Sequence, residues 1–340
     1  MGRRRAGALV ALVIAVDLGL WGYSSGWLNS PRADDPLYRE PAVVRWLRER
    51  QRPGDPFRVL NVRAPLDPTV TFASASLAMT EFVLSLEPDI YMMHRIQNAA
   101  GYEGFGLERH SRLAGDMKVW GDLSDPRRSL GEGRELDLLN VRYLIARTPS
   151  AKSGGDPAAG ERWRRAAELQ GVTVYENRRL LPRAWVTTEA VVQPDPVTLE
   201  VVRRGTFPDG RPWDPRRTVL LDAPLPRPLA SRHVEVPVTV HRYEPLRIEL
   251  SASLPVRGVL VLSENVYPGW KAAVDDRPAE TLRVDYNLRG VLLEAGSHRV
   301  TFVYRPRSVW LGLSVSVLSA VALVIWARGS RGGATAASEA

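Results

Sequence analysis

Apolar residues gather at the two ends of this chain, and the long stretch between them is polar and charged. From Ser308 to Ala327 nothing is more polar than a serine. A helix needs about 20 such residues to cross about 30 Å of hydrocarbon. Trp310 and Trp326 stand near the ends of the run, where indoles favour the interface, and Arg305, Arg307 and Arg328 bracket it. Core helices of soluble domains are seldom apolar all round, so the pattern predicts a transmembrane helix over 308–327. A second apolar run covers Ala6 to Leu28 and contains Asp17, Gly19, Gly22 and Gly26. An acid at the centre of a membrane helix costs about 2.5–3.5 kcal/mol. Asp17 therefore either contacts a protein partner inside the membrane or lies near one interface.

Arg3, Arg4 and Arg5 precede that run and predict a cytoplasmic N-terminus. The same layout fits a cleavable signal peptide, although no small-x-small site follows the apolar core. Two spans put both tails in the cytoplasm, with 328–340 expected to be disordered. The body between them then lies outside a bacterial cytoplasmic membrane.

Within that body, Pro41–Arg50 reads as an amphipathic helix and Phe57–Val62 as an alternating strand. Thr69–Ala75 reads as a further strand, and Met79–Leu86 fits either element. Glu135–Asn140 predicts a helix and Val141–Ala146 a buried strand. Thr148–Gly160, rich in Ser, Gly, Pro and Ala, reads as a linker. Glu161–Gln170, followed by Gly171, predicts a short helix, and Val172–Tyr175 and Arg183–Thr187 predict strands. From Val234 onward short alternating segments follow one another, with turns at Asp275–Pro278 and Glu294–Ser297. That spacing predicts an antiparallel β-sandwich.

The expected fold class is thus a membrane-anchored α+β protein, with two transmembrane helices flanking an extracytoplasmic α/β region and an antiparallel β-sandwich. The expected divisions are a membrane helix in 1–28, an α/β region over 29–150, a linker and mixed α/β region over 151–232, the sandwich over 233–305, and the closing helix at 308–327.

Composition narrows the chemistry. The 340 residues include no Cys, which excludes disulfides, thiolate nucleophiles and thiolate metal sites. The formal charge of +8 is carried mostly by Arg. Beside a membrane it favours anionic head groups or polyprenyl phosphates rather than nucleic acid. His94, His110, His233, His241 and His298 are scattered with no zinc spacing, so neither a metal nor another cofactor is expected. Gly101–Gly106 is a glycine-rich turn, not a phosphate loop, and there is no nucleophile elbow. No catalytic residue is assigned. The densest cluster is Glu264, Asn265, Tyr267 and Trp270 around Pro268-Gly269. Aromatic faces with nearby carboxylate and amide groups suit a glycan; the same aromatics also suit a sandwich core.

Several stretches resemble a known family. Ser263–Ala272, Tyr286–Val291, Ala295–His298 and Tyr304-Arg305-Pro306 running into the last helix resemble the C-terminal end of the bacterial YfhO-like membrane proteins. Leu138–Ile145, Tyr175–Asn177, Leu181–Ala184, Ala100–Glu103 and Asp17-Leu18 match other parts of that family in order. The family is similar to polytopic C-type glycosyltransferases, which move a sugar from a polyprenyl-phosphate donor outside the cytoplasmic membrane. The resemblance implies a part in cell-envelope glycosylation, with the lipid bilayer, a polytopic glycosyltransferase subunit, and a glycan or polyprenyl-phosphate sugar as partners. The family's catalytic acid lies in an N-terminal multi-helix part to which no residue here corresponds. A non-catalytic part of such a system, an independent membrane glycosyltransferase and a structural envelope scaffold all stay open. So do a truncated gene, a split protein and a free-standing module.

Overall fold

The computed structural model describes residues 12–21, 40–62, 84–86, 90–100, 107–118, 121–148, 160–230 and 232–332. The arginines at 3–5, the strand expected at 69–75, the turn at 101–106 and most of the linker at 148–160 lie outside the described residues.

Three sheets are stacked. The first is four-stranded, in the order β1-β2-β4-β3, from Arg58–Val62 (β1), Val141–Arg147 (β2), Trp163–Leu169 (β3) and Val172–Asn177 (β4). β1 runs parallel to β2, and the other pairs are antiparallel. The second sheet has six strands, ordered β5-β10-β14-β13-β7-β6. These are Ala184–Thr187 (β5), Glu189–Val192 (β6), Thr218–Leu221 (β7), Gly258–Asn265 (β10), Leu282–Val284 (β13) and Leu288–Leu293 (β14). The third, ordered β12-β11-β15-β9-β8, comprises Val238–Glu244 (β8), Arg247–Leu254 (β9), Trp270–Val274 (β11), Arg277–Ala279 (β12) and Gly296–Tyr304 (β15).

The six-stranded sheet is the middle layer, and the sequence of β10 shows why. Val259 and Val261 join one core with Trp185, Val219 and Leu288. Leu260 and Leu262 join another with Ala184, Val291, Leu250 and Phe302. A strand buried on both faces needs a continuous apolar run rather than alternation. β9, in an outer layer, places Ile248, Leu250, Ala252 and Leu254 on the buried side. A third core packs Val43, Val44 and Leu47 of the helix Ala42–Arg48 (α2) onto Val59, Tyr143, Ile145 and Val174.

The expected sandwich is therefore built from one antiparallel sheet and one mixed sheet. Strands β5, β6 and β7 supply part of the latter, and β6 pairs with β7 in parallel. The architecture is α+β with several sheets.

One expected element is overturned. Glu161–Gln170 is not a helix; its residues form β3, hairpinned onto β4 with Leu169 opposite Val172. The turn is Gln170-Gly171, with φ of 47° and 84°. Two successive left-handed residues make the two-residue turn that matches strand twist, so Gly171 closes a hairpin instead of a helix.

The final helix, Arg307–Gly332, carries a 19-residue apolar stretch, Arg307–Ile325, long and apolar enough to cross a membrane. At the other end, the described apolar helix is Leu12–Trp21 (α1), which is shorter. Among the described residues one helix is thus of spanning length, where two were expected.

Candidate functional site

Glu264 ends β10 at one end of the sandwich and is ringed by cations. Its Oε1 accepts from Arg58 at 2.5 Å and from Arg183 at 3.2 Å, and Arg289 lies 3.7 Å from Oε2. The Tyr243 hydroxyl, from β8, also donates to Oε1. The carboxylate is 19% exposed. Burial alone would raise its pKa, but Arg58, Arg183 and Arg289 outweigh it, so the group is held below the usual carboxylate range. Burial pushes Arg183 and Arg289 down to about 10 and Tyr243 up to about 12. At neutral pH the cluster stays a carboxylate among guanidiniums.

Each arginine is fixed twice. Arg58 also donates to the carbonyls of Leu139 and Ser263, at 3.0 and 2.9 Å. Arg183 reaches Gln97 Oε1 at 2.7 Å and lies over the Tyr243 ring at 5.0 Å. Arg289 donates to the Asn265 carbonyl at 2.9 Å and covers the Trp270 ring at 3.9 Å. Glu264 thus joins residues from all three sheets.

Asn265 is bonded internally through both ends of its amide. Its Oδ1 accepts from Asn287 Nδ2 at 3.1 Å. His110 Nε2 lies 3.1 Å from the Ala99 carbonyl, which can only accept, so Nε2 carries the proton. Nδ1 is then free to accept from Asn265 Nδ2 at 3.0 Å. Burial lowers the pKa of His110, in keeping with a neutral ring.

A cleft of about 180 Å³ opens beside this cluster, lined by Gln97, Tyr243, Glu244, Pro245, Ile248, Glu264 and Trp270. Trp270 is half-buried, with Tyr304 at 5.3 Å, and Tyr267 is 44% exposed, 6.4 Å from Tyr304. Glu264 and Trp270 thus meet across the cleft, Tyr267 stands outside it, and Asn265 points into the network below. Asp17 is far along the chain, on the exposed surface of α1. Among the described residues, no group of three or more His, Asp and Glu is placed to hold a metal ion.

The turn carrying these aromatics clamps the point where sheet becomes helix. Arg305 N donates to the Gly269 carbonyl at 2.7 Å, and Tyr304 N to the Leu246 carbonyl at 3.0 Å. Gly269 has φ of 107°, and a Cβ there would stand 2.8 Å from the Tyr304 ring and 3.0 Å from Pro306. Only glycine allows this approach.

The sequence reading did not single out Arg58, Arg183, Arg289, Tyr243, Gln97 or His110. A signal was present for two of them: Arg289 interrupts the apolar strand β14 and Arg183 directly precedes the apolar strand β5, and a charge beside buried strand residues demands a partner.

Residues 230–316 match the family model described as bacterial membrane protein YfhO. The matched stretch covers the whole five-stranded sheet, the Pro268-Gly269 turn and the first turns of the closing helix. Over this C-terminal portion the chain is similar to that family. The cryo-EM structure of the arabinofuranosyltransferase AftD from mycobacteria matches at 24% identity, over 24% of this chain and 6% of that one, with a TM-score of 0.19. The chain thus spans a small fraction of that protein's length. No curated protein matches the chain.

Proposed function

We propose that the chain is the non-catalytic, extracytoplasmic part of a cell-envelope glycosylation system that uses polyprenyl-phosphate-linked sugars. On this reading both apolar ends cross the bacterial cytoplasmic membrane, with the three-sheet body outside. Asp17 packs against a polytopic glycosyltransferase subunit, because an intramembrane acid needs a polar or protein surrounding. The YfhO likeness, and that family's similarity to C-type transferases, support this assignment.

The observation that carries it is the position of the cleft. Its lining includes Glu244 and Pro245, beside Leu246, and Trp270, beside Gly269. Leu246 and Gly269 are bonded to the two residues that lead into the closing helix. A sugar on a membrane-anchored phosphate reaches such a cleft without leaving the bilayer surface. Trp270 supplies an aromatic wall, Tyr267 stands at the rim, and Glu264 and Asn265 hold the wall in place.

The test is binding of a polyprenyl-phosphate sugar to the full chain in nanodiscs, compared with bare polyprenyl phosphate. The sugar-bearing lipid is expected to bind more tightly. Trp270→Ala is expected to weaken it by about three- to tenfold while the unfolding midpoint shows the body still folded. Equal binding of both lipids sinks the reading. Sugar transfer by the purified chain alone would instead support an independent membrane glycosyltransferase. A structural scaffold is the second reading, and one observation favours it: the polar groups of Glu264 and Asn265 are already bonded within the chain.

A further inference from the structure

We infer that the turns at Glu244–Leu246 and Tyr267–Gly269 form a docking rim that rests on an anionic phospholipid surface. The inference goes beyond the glycan reading and holds whether or not the cleft takes a sugar.

Exposed apolar side chains carry the first part of the argument. Leu246 is 60% exposed and Tyr267 44%, Leu246 within a turn and Tyr267 at the start of one, where polar residues are the rule. Backbone hydrogen bonds carry the second. The Leu246 carbonyl is bonded to Tyr304 and the Gly269 carbonyl to Arg305, and the apolar helix begins at Arg307. Arg305 and Tyr304 stand two and three residues before the helix, at most about 7 and 11 Å of extended chain, so neither turn can stand far from the plane where that helix meets the lipid. Tyr favours that interface, as Trp310 does on the first turn of the helix.

Charge selects the lipid. Lys271, Arg305 and Arg307 are exposed around the same neck. None is among the ion pairs formed between described residues. The acid at this rim, Glu244, is neutralised by Arg242 at 2.7 Å. Exposed cations beside an apolar tip fit an anionic head-group layer better than a zwitterionic one.

The absence of Cys from the chain makes single labels straightforward. Leu246→Cys and, as comparator, Ser253→Cys carry a polarity-sensitive fluorophore in the full chain, reconstituted into vesicles. Ser253 lies on β9, which the Leu246 turn leads into, seven residues or roughly 24 Å of extended chain from Leu246. The expected result is blue-shifted emission at 246, with several-fold stronger quenching by shallow lipid-borne nitroxides than at 253. That difference should be larger in phosphatidylglycerol than in phosphatidylcholine vesicles. High salt, or Lys271→Gln with Arg305→Gln and Arg307→Gln, should remove the increment. If Leu246→Cys fails to fold, Tyr267→Cys takes its place. Equal access of a water-soluble quencher to both labels overturns the inference. So does a 246 label shielded from water yet untouched by lipid quenchers, which would mean that protein covers the rim. Indifference to lipid charge overturns the anionic assignment.

Discussion

Two carboxylates in this protein are each surrounded by three guanidiniums, and they differ in what lies on their open side. Asp137, on the short helix Glu135–Leu138, is fully buried. It accepts from Arg162 at 2.5 Å, from Asn177 at 2.9 Å and from Arg179 at 3.1 Å, with Arg134 at 3.2 Å. Arg162 also donates to the carbonyls of Ser129 and Gly133, both at 2.9 Å. Every side of that carboxylate is protein. Glu264 has the same cation count, yet it borders a cleft beside the membrane neck. The first arrangement ties a loop to a sheet and has nowhere to admit a ligand. The second ties three sheets together and leaves one wall accessible. Three guanidiniums thus serve closure in one place and the support of a surface in the other.

The largest effect should come from breaking the closed cluster. Asp137→Ala leaves Arg162, only 5% exposed, with no carboxylate on its fork. Removing one partner of a buried ion pair costs about 3–5 kcal/mol. Denaturant unfolding of the purified chain should show a loss of that size, and a loss under about 1 kcal/mol would mean that the cluster relaxes or hydrates.

A third buried carboxylate sharpens the comparison because it has no guanidinium. Asp285 is fully buried; its Oδ1 accepts from Leu220 N at 2.8 Å, while Oδ2 has no partner. Burial raises its pKa to about 7. The unfolded value is about 3.9, so the folded state binds this proton more tightly. The contribution is fully present below about pH 4, is lost as pH rises through about 7, and is flat above. Between pH 5 and 8 the wild type should lose on the order of 2–3 kcal/mol more than Asp285→Asn. Parallel stability curves for the two proteins would show that the carboxyl is already ionised or hydrated.

Glu264 should respond with the opposite sign. Its folded pKa is depressed, so its stabilisation is present above the unfolded value and lost as pH falls through the folded one. Glu264→Gln should cost about 2–3 kcal/mol at neutral pH, less than the loss at Asp137 because the site is partly hydrated. It should also loosen Trp270 by freeing Arg289. Restored stability in a Glu264→Gln, Arg289→Met double variant would assign the penalty to the stranded cation.

How much of this was legible depends on whether the determinant is local. The β10 and β14 runs, the Asp275–Pro278 hairpin and the closing helix are written in contiguous residues, and they stand where the pattern puts them. β3 was misread because Gly171 signals a helix end and a hairpin turn equally well. The difference is the left-handed Gln170 beside it. The helix Asp195–Arg204 carried Pro196 in its first turn and the left-handed cap Gly205, signals the reading did not use. The cluster at Glu264 was half legible. Glu264, Trp270 and Asn265 are neighbours in sequence, but Arg58 and Arg183 come from strands about 200 and 80 residues away and meet them only through the stacking of sheets.

The smallest change tests whether the open cluster and the membrane neck act as one unit. Gly269→Ala sets a methyl group 2.8 Å from the Tyr304 ring and 3.1 Å from Pro306 Cα, at a φ that side chains avoid. Strain of this kind costs about 1–2 kcal/mol, and the chain can relieve it by releasing the Arg305–Gly269 hydrogen bond. If that bond fixes the sheet on its helix, a label at Leu246 should move away from shallow lipid quenchers. Amides of β11 and β15 near the neck should then exchange faster, while those of β2 and β4, around Asp137, stay unchanged. Uniformly faster exchange would instead mean that the neck is no more than one more part of a single cooperative core.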